Sequence, residues 1–362
     1  NMRRVDQRPM KRESLAGEWT GQHNSPNVPE CIQVYGGGIA GCSMAAHLAM
    51  QGLSVRLVES RPALATGASQ MCAVQHARLL ADDSPQAHWR VSSHLYSLAF
   101  TRGHAGVHPA GALQLPGPNL DSSRLQRTFA CYGESGDWLS WCDDQEVARL
   151  AGSLVTNPTP GLLFVGAPVV ELDQLCQSLT THPAIELCFG GEPDPALPTV
   201  WACAHGYAAI ADLQTLPTHS LWGQTDRVSM PDMPKLAIIG DGYLAPCKDV
   251  VMAGSTFEYS AWEPERATAV NLTRLRSQPY TWLGRQRAER LIAPDRMPII
   301  GPIGGQWIST AHGSMGATST HLAAAVIQSQ IMGWLPPLDT RVITMIEPAR
   351  FAARAARRLR RR

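Results

Sequence analysis

The sequence predicts an α/β fold organised on a parallel sheet, and three observations carry that prediction. Between Cys31 and Glu59, CIQVY reads as a short buried strand, GGGIAG as a glycine turn, CSMAAHLAMQG as a helix closing at Gly52, and SVRLVE as a second strand. Strand, helix and strand in so short a span form a βαβ unit, whose crossover implies parallel pairing. Gly36, Gly38 and Gly41 hold the G-x-G-x-x-G spacing at the strand-to-helix turn. Late in the chain QWISTA reads as a strand, His312 to Gly316 as a glycine turn, and ATSTHLAAAVIQSQIMG as a helix ending at Gly333.

Bulk properties bound the function. A length of 362 residues suffices to bury a core and enclose a cofactor, and 44% hydrophobic with 17% charged residues describes an ordinary globular protein rather than a disordered one. Nine cysteines occur without a Cys-x-x-Cys pair, so neither a disulfide framework nor a metal site is expected, and a cytoplasmic location is. No apolar run reaches the roughly 18 to 20 residues of a membrane span, and the first 30 residues show no signal-peptide core. A net charge of +1 excludes a global pull toward nucleic acid, but Arg350 to Arg362 concentrates seven arginines without an acid. That tail reads either as a solvated terminal helix or as a phosphate-contacting segment.

Between the two ends, residues 1–30 read as a linker, Pro85 to Arg102 as a helix, and the centre as loop-rich. Strand candidates within that centre are AIELCF near 184–189, TVWACA near 199–204, KLAIIG near 235–240 and DVVMAG near 249–254.

Each glycine of the turn has a physical task. Gly36 permits the tight turn, Gly38 lets backbone approach a pyrophosphate, and Gly41 allows close helix-to-strand packing while helix N-terminal amides face the anion. Glu59 ends the second strand, roughly twenty residues after the last glycine, where a carboxylate accepts hydrogen bonds from ribose hydroxyls. The same fingerprint serves NAD and FAD. The late helix starting near Gly316 would aim its dipole and free amides at a negatively charged ring.

The set VYGGGIAG, Glu59, Gly67-Ala68-Ser69 and ACAHG at 202–206 resembles the D-amino-acid-oxidase type of FAD enzyme. The resemblance implies a Rossmann-like FAD-binding domain with an inserted mixed-sheet substrate domain. It divides the chain into 31–100, 165–220 and 290–340 for FAD, 101–164 and 221–289 for substrate, and 341–362 as a basic tail. Several segments are similar to a narrower family, the FAD-dependent half of the bifunctional enzyme that makes 5-methylaminomethyl-2-thiouridine at the tRNA wobble position. They are GAS, WGQ at 222–224, GDGYLAP at 240–246 with AGSTF at 253–257, DRMPIIG at 295–301, HGSMG at 312–316 and PARFAAR at 348–354. MKRESLAG at 10–17 looks like the junction after that family's methyltransferase domain, which these residues lack, so a separate methyltransferase partner is implied.

On this resemblance FAD contacts fall to Gly36, Gly38, Ile39, Ala40, Gly41, Glu59, Ser60, Gly67, Ala68, Ser69, Ala204, Gly206, Asp295, Gly313, Ser314, Met315, Gly316 and Ala317. The last cysteine is Cys247, so no thiol stands in the late segment where related sarcosine oxidases attach flavin covalently, and a non-covalent FAD is implied. The implied reaction removes a carboxymethyl group from carboxymethylaminomethyl uridine as glyoxylate; a small free amine such as glycine or sarcosine, or a flavin-containing RNA-binding module without turnover, are the alternatives. The substrate carboxylate calls for a bidentate cation, and Arg290, Tyr243 and His312 are the catalytic candidates. Arg290 also reads as a surface ion pair, Tyr243 as a packed core residue, and His312 as a loop residue with a local hydrogen bond. Three places depart from the family: Gln70 to Arg78 replaces a glycine-containing run, and Met315 and Trp222 stand where arginines are common.

Overall fold

The computed structural model describes residues 28–359 except 119, 134–135, 211–212 and 214–215. Most of the expected linker, including 10–17, and the last three residues of the tail lie outside the described residues.

The βαβ unit forms as the periodicity predicts. β1 (Cys31–Tyr35) pairs in parallel with β2 (Ser54–Glu59), and α1 (Ile39–Ala49) crosses between them. On the far side of β2 lies β9 (Ile185–Phe189), and on the far side of β1 lies β10 (Thr199–Trp201). β17 (Gln306–Thr310) adds in parallel to β10, and β16 (Ile299–Ile303) closes the six-stranded sheet antiparallel to it. The late helix α7 (Gly316–Met332) ends at Gly333, whose left-handed φ of 67° suits a residue without Cβ. α1 and α7 are buried on nearly every side, as expected of helices rich in Ala and free of charged residues. Ile32, Val34, Leu57, Met44, Leu322 and Ile327 belong to the core cluster between them and the sheet.

The centre is not loop-rich. An eight-stranded sheet runs in the order β15 (Thr281–Ile292), β11 (His219–Ser229), β14 (Val250–Gly254), β13 (Gly242–Cys247), β12 (Ala237–Gly240), β5 (Ala112–Gln114), β7 (Gly161–Phe164) and β6 (Leu139–Cys142). The two longest strands, β11 and β15, escape the sequence reading because TWLGRQRAERLI carries charges at 285, 287, 289 and 290 and so lacks an apolar run. A third sheet sets β8 (Pro168–Glu171) between β3 (Cys72–Val74) and β4 (Val107–Pro109). α2 (Pro85–Thr101), capped by the Ser84 hydroxyl, matches the expected helix, and α3 (Ser122–Tyr132), α4 (Asp144–Ala151), α5 (Leu172–Leu179) and α6 (Pro264–Leu272) fill the middle.

At the C-terminus α8 (Thr340–Ile346) leads into α9 (Arg350–Leu359). The first tail arginine is not solvated: Arg350 is buried, donates Nε to Asp295 at 2.9 Å, and reaches the Met297 carbonyl. Burial pushes the Asp295 carboxyl up, but the guanidiniums of Arg350 and Arg354 outweigh it and hold the group below the usual carboxylate range.

Two stability predictions follow from these buried polar groups. Arg350→Ala leaves Asp295 without its buried partner and is expected to cost about 3 kcal/mol, read as a lower urea midpoint at unchanged slope. His47, His94 and His321 are buried, and burial, helped at His94 and His321 by neighbouring imidazoles, pushes their pKa down to about 4, 3 and 3. Their folded pKa lies below the unfolded 6.5, so the stability they leave intact at neutral pH is lost as pH falls below 6.5. Each contributes up to about 1.4 kcal/mol per pH unit in that window. Urea titrations at pH 7 and pH 5 are expected to show a loss of several kcal/mol, and a flat response would contradict the burial of these rings.

Candidate functional site

Parallel pairing brings the C-terminal ends of β1, β2, β10 and β17 to one edge, where open α/β sheets bind ligands. Four turns leave from that edge, and the glycine positions show what shapes them. A Cβ on Gly36, whose φ is +119°, would lie 2.5 Å from the Ala202 carbonyl oxygen beyond β10. A Cβ on Gly41 would lie 1.7 Å from the Gly36 carbonyl oxygen, so only glycine lets α1 start this close to β1. Gly38 differs: a Cβ there would meet only the Ser69 hydroxyl, at 3.2 Å. Outside the turn itself no backbone atom lies within 4 Å of that position, so Gly38 is the least crowded point of the turn and the place where a pyrophosphate would approach it.

The other expected cofactor residues gather around it. The Ser69 hydroxyl accepts the Ile39 amide at 3.0 Å, which seats Gly67, Ala68 and Ser69 over the first turn of α1 beside Ala40. Glu59 accepts the Gly37 amide at 2.7 Å and the Arg61 amide at 3.0 Å, while the Ser60 hydroxyl donates to it at 3.3 Å. Its carboxylate thus stands against the glycine turn. Beyond β10, Ala204 adopts a left-handed φ of 46° and opens a 3₁₀ turn that includes Gly206. Beyond β17, Ala311 has φ of 57° and Gly313, Ser314 and Met315 form a 3₁₀ turn into Gly316 and Ala317. Two non-glycine residues in the left-handed region at the same sheet edge mark backbone held for a purpose other than stability. A Cβ on Gly316 would stand 3.9 Å from Ile39, so the N-termini of α1 and α7 lie side by side with their free amides at this edge. The donors, the space at Gly38 and the carboxylate fit a dinucleotide.

Asp295 does not join this set, because its carboxylate is spent on Arg350 and Arg354. It anchors the C-terminal helix instead.

Arg290 and Tyr243 come together on the eight-stranded sheet. Arg290 is 8% exposed, so it is no surface ion pair. Among the described residues no carboxylate pairs with it; its guanidinium reaches only the Thr256 carbonyl, at 3.5 Å, and lies 5.2 Å from the Phe257 ring. Burial pushes its pKa down, with the Tyr243 oxygen and Glu258 opposing. Tyr243 donates to the Cys72 carbonyl at 3.2 Å and lies 3.0 Å from the Thr225 hydroxyl; burial pushes its phenol up, and Thr225 and Arg290 act against that. A Cβ on Gly223 would meet Arg290 Nη2 at 2.2 Å, which explains the glycine of the WGQ segment.

His312 takes the local reading. Its Nδ1 lies 2.8 Å from the Ser319 hydroxyl and its Nε2 3.0 Å from that of Ser309. Ser319 donates to the Met315 carbonyl, so its oxygen accepts Nδ1–H, and Nε2 accepts from Ser309. With both nitrogens engaged and burial pushing its pKa down to about 3, the ring positions the turn before α7.

Sequence reasoning missed a buried polar network on β11. Asp226 accepts from Thr268 at 2.7 Å, Asn271 at 2.8 Å and Trp282 at 3.0 Å, and Arg287 pairs with the fully buried Glu258. The signal available was QTD following WG, polar residues in alternation where a strand should be apolar. Gln75 was likewise unremarked; its amide donates to the Ala317 carbonyl at 2.7 Å and ties the segment after GAS to α7.

Residues 32–184 match the family described as DAO, FAD dependent oxidoreductase. The chain is 28% identical to the tRNA 5-methylaminomethyl-2-thiouridine biosynthesis bifunctional protein MnmC of Paraburkholderia phytofirmans, over 98% of this chain and 66% of that protein. The chain therefore spans just under two thirds of that relative. Among solved structures it is similar to glycine oxidase from Geobacillus kaustophilus, with TM-score 0.71 and 16% identity over 86% of this chain and 97% of that one. Iminodiacetate oxidase from Chelativorans sp. BNC1 gives TM-score 0.71 and 19% identity over 88% and 98%. No helix among the described residues is long and apolar enough to cross a membrane.

The glycine geometry separates folding from binding. Gly38→Ala is expected to keep the far-ultraviolet circular dichroism and melting temperature of the parent while purifying without flavin absorbance. Gly41→Ala is expected to lose both fold and flavin, because its new carbon would overlap a carbonyl. Equal flavin content in Gly38→Ala and the parent would show that this turn does not hold the pyrophosphate.

Proposed function

From the premise that this chain carries a DAO-type FAD-dependent oxidoreductase domain, acting on CH–NH groups, we propose that its substrate is the carboxymethylaminomethyl group of a tRNA wobble uridine. The observation that carries the substrate reading is Arg290: a buried guanidinium with one long hydrogen bond and no carboxylate partner among the described residues. An unpaired buried charge is costly, and an anion that accepts bidentate hydrogen bonds offsets that cost. The carboxylate of an N-carboxymethyl group is such an anion.

Bound FAD supplies a two-electron acceptor for the carbon next to nitrogen. Gly36 to Gly41, Glu59 and Ser69 would hold its adenosine and pyrophosphate half, and Gly313 to Ala317 its ring. Arg290 binds the substrate carboxylate and thereby fixes the methylene carbon, with Tyr243, whose hydroxyl is held by the Cys72 carbonyl and Thr225, packed alongside. Water then completes the net reaction, which releases glyoxylate and leaves an aminomethyl uridine. The six-stranded and eight-stranded sheets support a division into a discontinuous cofactor domain and an inserted substrate domain, with this site between them.

A cytoplasmic tRNA partner is part of the same reading. Arg350 and Arg354 are engaged by Asp295, so contact with the polyanion falls to the arginines from Arg357 to Arg362.

The test is anaerobic mixing of the flavoprotein with tRNA carrying the carboxymethylaminomethyl group, following the oxidised flavin band. Bleaching is expected, and Arg290→Ala is expected to lower kcat/KM roughly 10- to 100-fold at unchanged flavin content, as loss of a charge-assisted hydrogen bond predicts. No bleaching by this tRNA, with bleaching by sarcosine or glycine, would assign the site to small free amines. No bleaching by any of them would leave a flavin-containing RNA-binding module.

A further inference from the structure

Away from the glycine turn, four strands place two thiols, an imidazole and a carboxylate near one another. Cys72 on β3 and Glu171 on β8 are directly paired neighbours in the antiparallel ladder, His108 stands on β4, and Cys247 ends β13. The Cys72 and Cys247 sulfurs are 3.4 Å apart, and both cysteines are free thiols. His108 Nε2 lies 2.7 Å from Glu171 Oε1, and the ligand atoms of His108, Glu171 and Cys247 all fall within 4.8 Å of one another. Glu171 also accepts from Gln174 at 2.8 Å and pairs with Lys248 at 2.9 Å.

We propose that Cys72, Cys247, His108 and Glu171 form a site for a thiophilic divalent cation, with zinc as the best match. Two thiolates, an imidazole and a carboxylate are a donor set suited to zinc, whose bonds of about 2.3 Å to sulfur and about 2.0 Å to nitrogen and oxygen set tetrahedral ligand separations of about 3.3–3.8 Å. The sulfurs stand near that spacing, the His108 and Glu171 atoms need to part by less than about 1 Å, and the Cys72 sulfur, which lies outside the 4.8 Å group formed by His108, Glu171 and Cys247, must turn inward to join them. Binding breaks two S–H bonds and sends both protons to solvent, while the cation takes the place of the Lys248 ammonium at Glu171. Two thiolates and one carboxylate exceed the charge of a divalent ion by one, and the displaced Lys248, half exposed and on a hairpin turn, remains near enough to balance it. Cys247 is buried while His108 and Lys248 reach the surface, so the site has both a dry floor and an entry path.

Such an ion would join the segment that leaves GAS to the strand that carries Tyr243. The Tyr243 hydroxyl already donates to the Cys72 carbonyl, so the ion would rigidify a contact beside the substrate anchor.

The experiment is zinc analysis and zinc-edge X-ray absorption on the full-length flavoprotein after exposure to zinc chloride and extensive dialysis. One zinc per chain is expected, with two sulfur neighbours at about 2.3 Å and two lighter neighbours at about 2.0 Å. Cys247→Ser and His108→Gln are each expected to weaken zinc binding at least tenfold at unchanged flavin content, and Lys248→Ala to retain the metal. Zinc at background level, a metal shell without sulfur, or a chain that is two hydrogens lighter by intact mass and carries no metal would each overturn the proposal. None of these readouts depends on which amine the flavin oxidises.

Discussion

The contact on which the cofactor edge depends is the approach of α1 to the turn that precedes it. Gly41 lies where any Cβ would overlap the Gly36 carbonyl oxygen, and Gly36 in turn lies against the Ala202 carbonyl. These two absences of a side chain let the first turn of α1 sit directly over the ends of β1 and β10. Its free amides then face the same space as those of α7. Ser69 and Glu59 each bond to an amide of that turn, so the GAS segment and the end of β2 are placed by the same contact.

The proposed substrate anchor rests on a different economy of charge. Alternation along β15 puts Arg285 and Arg287 on one face, where Glu265 and Glu258 meet them. Arg290 falls on the other face, over Gly223, where no acid follows it. The buried network of Gln224, Asp226, Asn271 and Thr268 stiffens β11 and the start of α6 through neutral donors to a carboxylate. Those bonds engage the neighbouring acids, and among the described residues Arg290 keeps no paired carboxylate.

The sequence disclosed the parts of the fold whose signals are local. The βαβ unit, the late strand and helix, and the strands near 185, 199, 237 and 250 are read correctly because apolar runs and glycine turns lie within a few residues of one another. β11 and β15 were invisible because their polar residues are satisfied across the sheet, which periodicity cannot register. The partners of Asp295 and His312 were hidden for the same reason. Their partners, Arg350 and the two serines, are brought to them by tertiary packing, and a motif position does not reveal that a polar group is already engaged.

The segment from Gln70 to Arg78 shows how a departure from the family pattern can be absorbed. It lacks the glycines common there, yet it is not a loosened stretch. Met71 packs in the interior, the Cys72 carbonyl accepts from Tyr243, and Gln75 donates to Ala317 while accepting from Thr101. Side-chain hydrogen bonds thus hold this backbone against both α7 and the substrate sheet, where glycines would have allowed it to follow the ring by conformational freedom alone. These bonds keep the segment in contact with both α7 and the sheet that carries Arg290. The two halves of the site stay in register through Gln75 and Tyr243, the residues that bridge them.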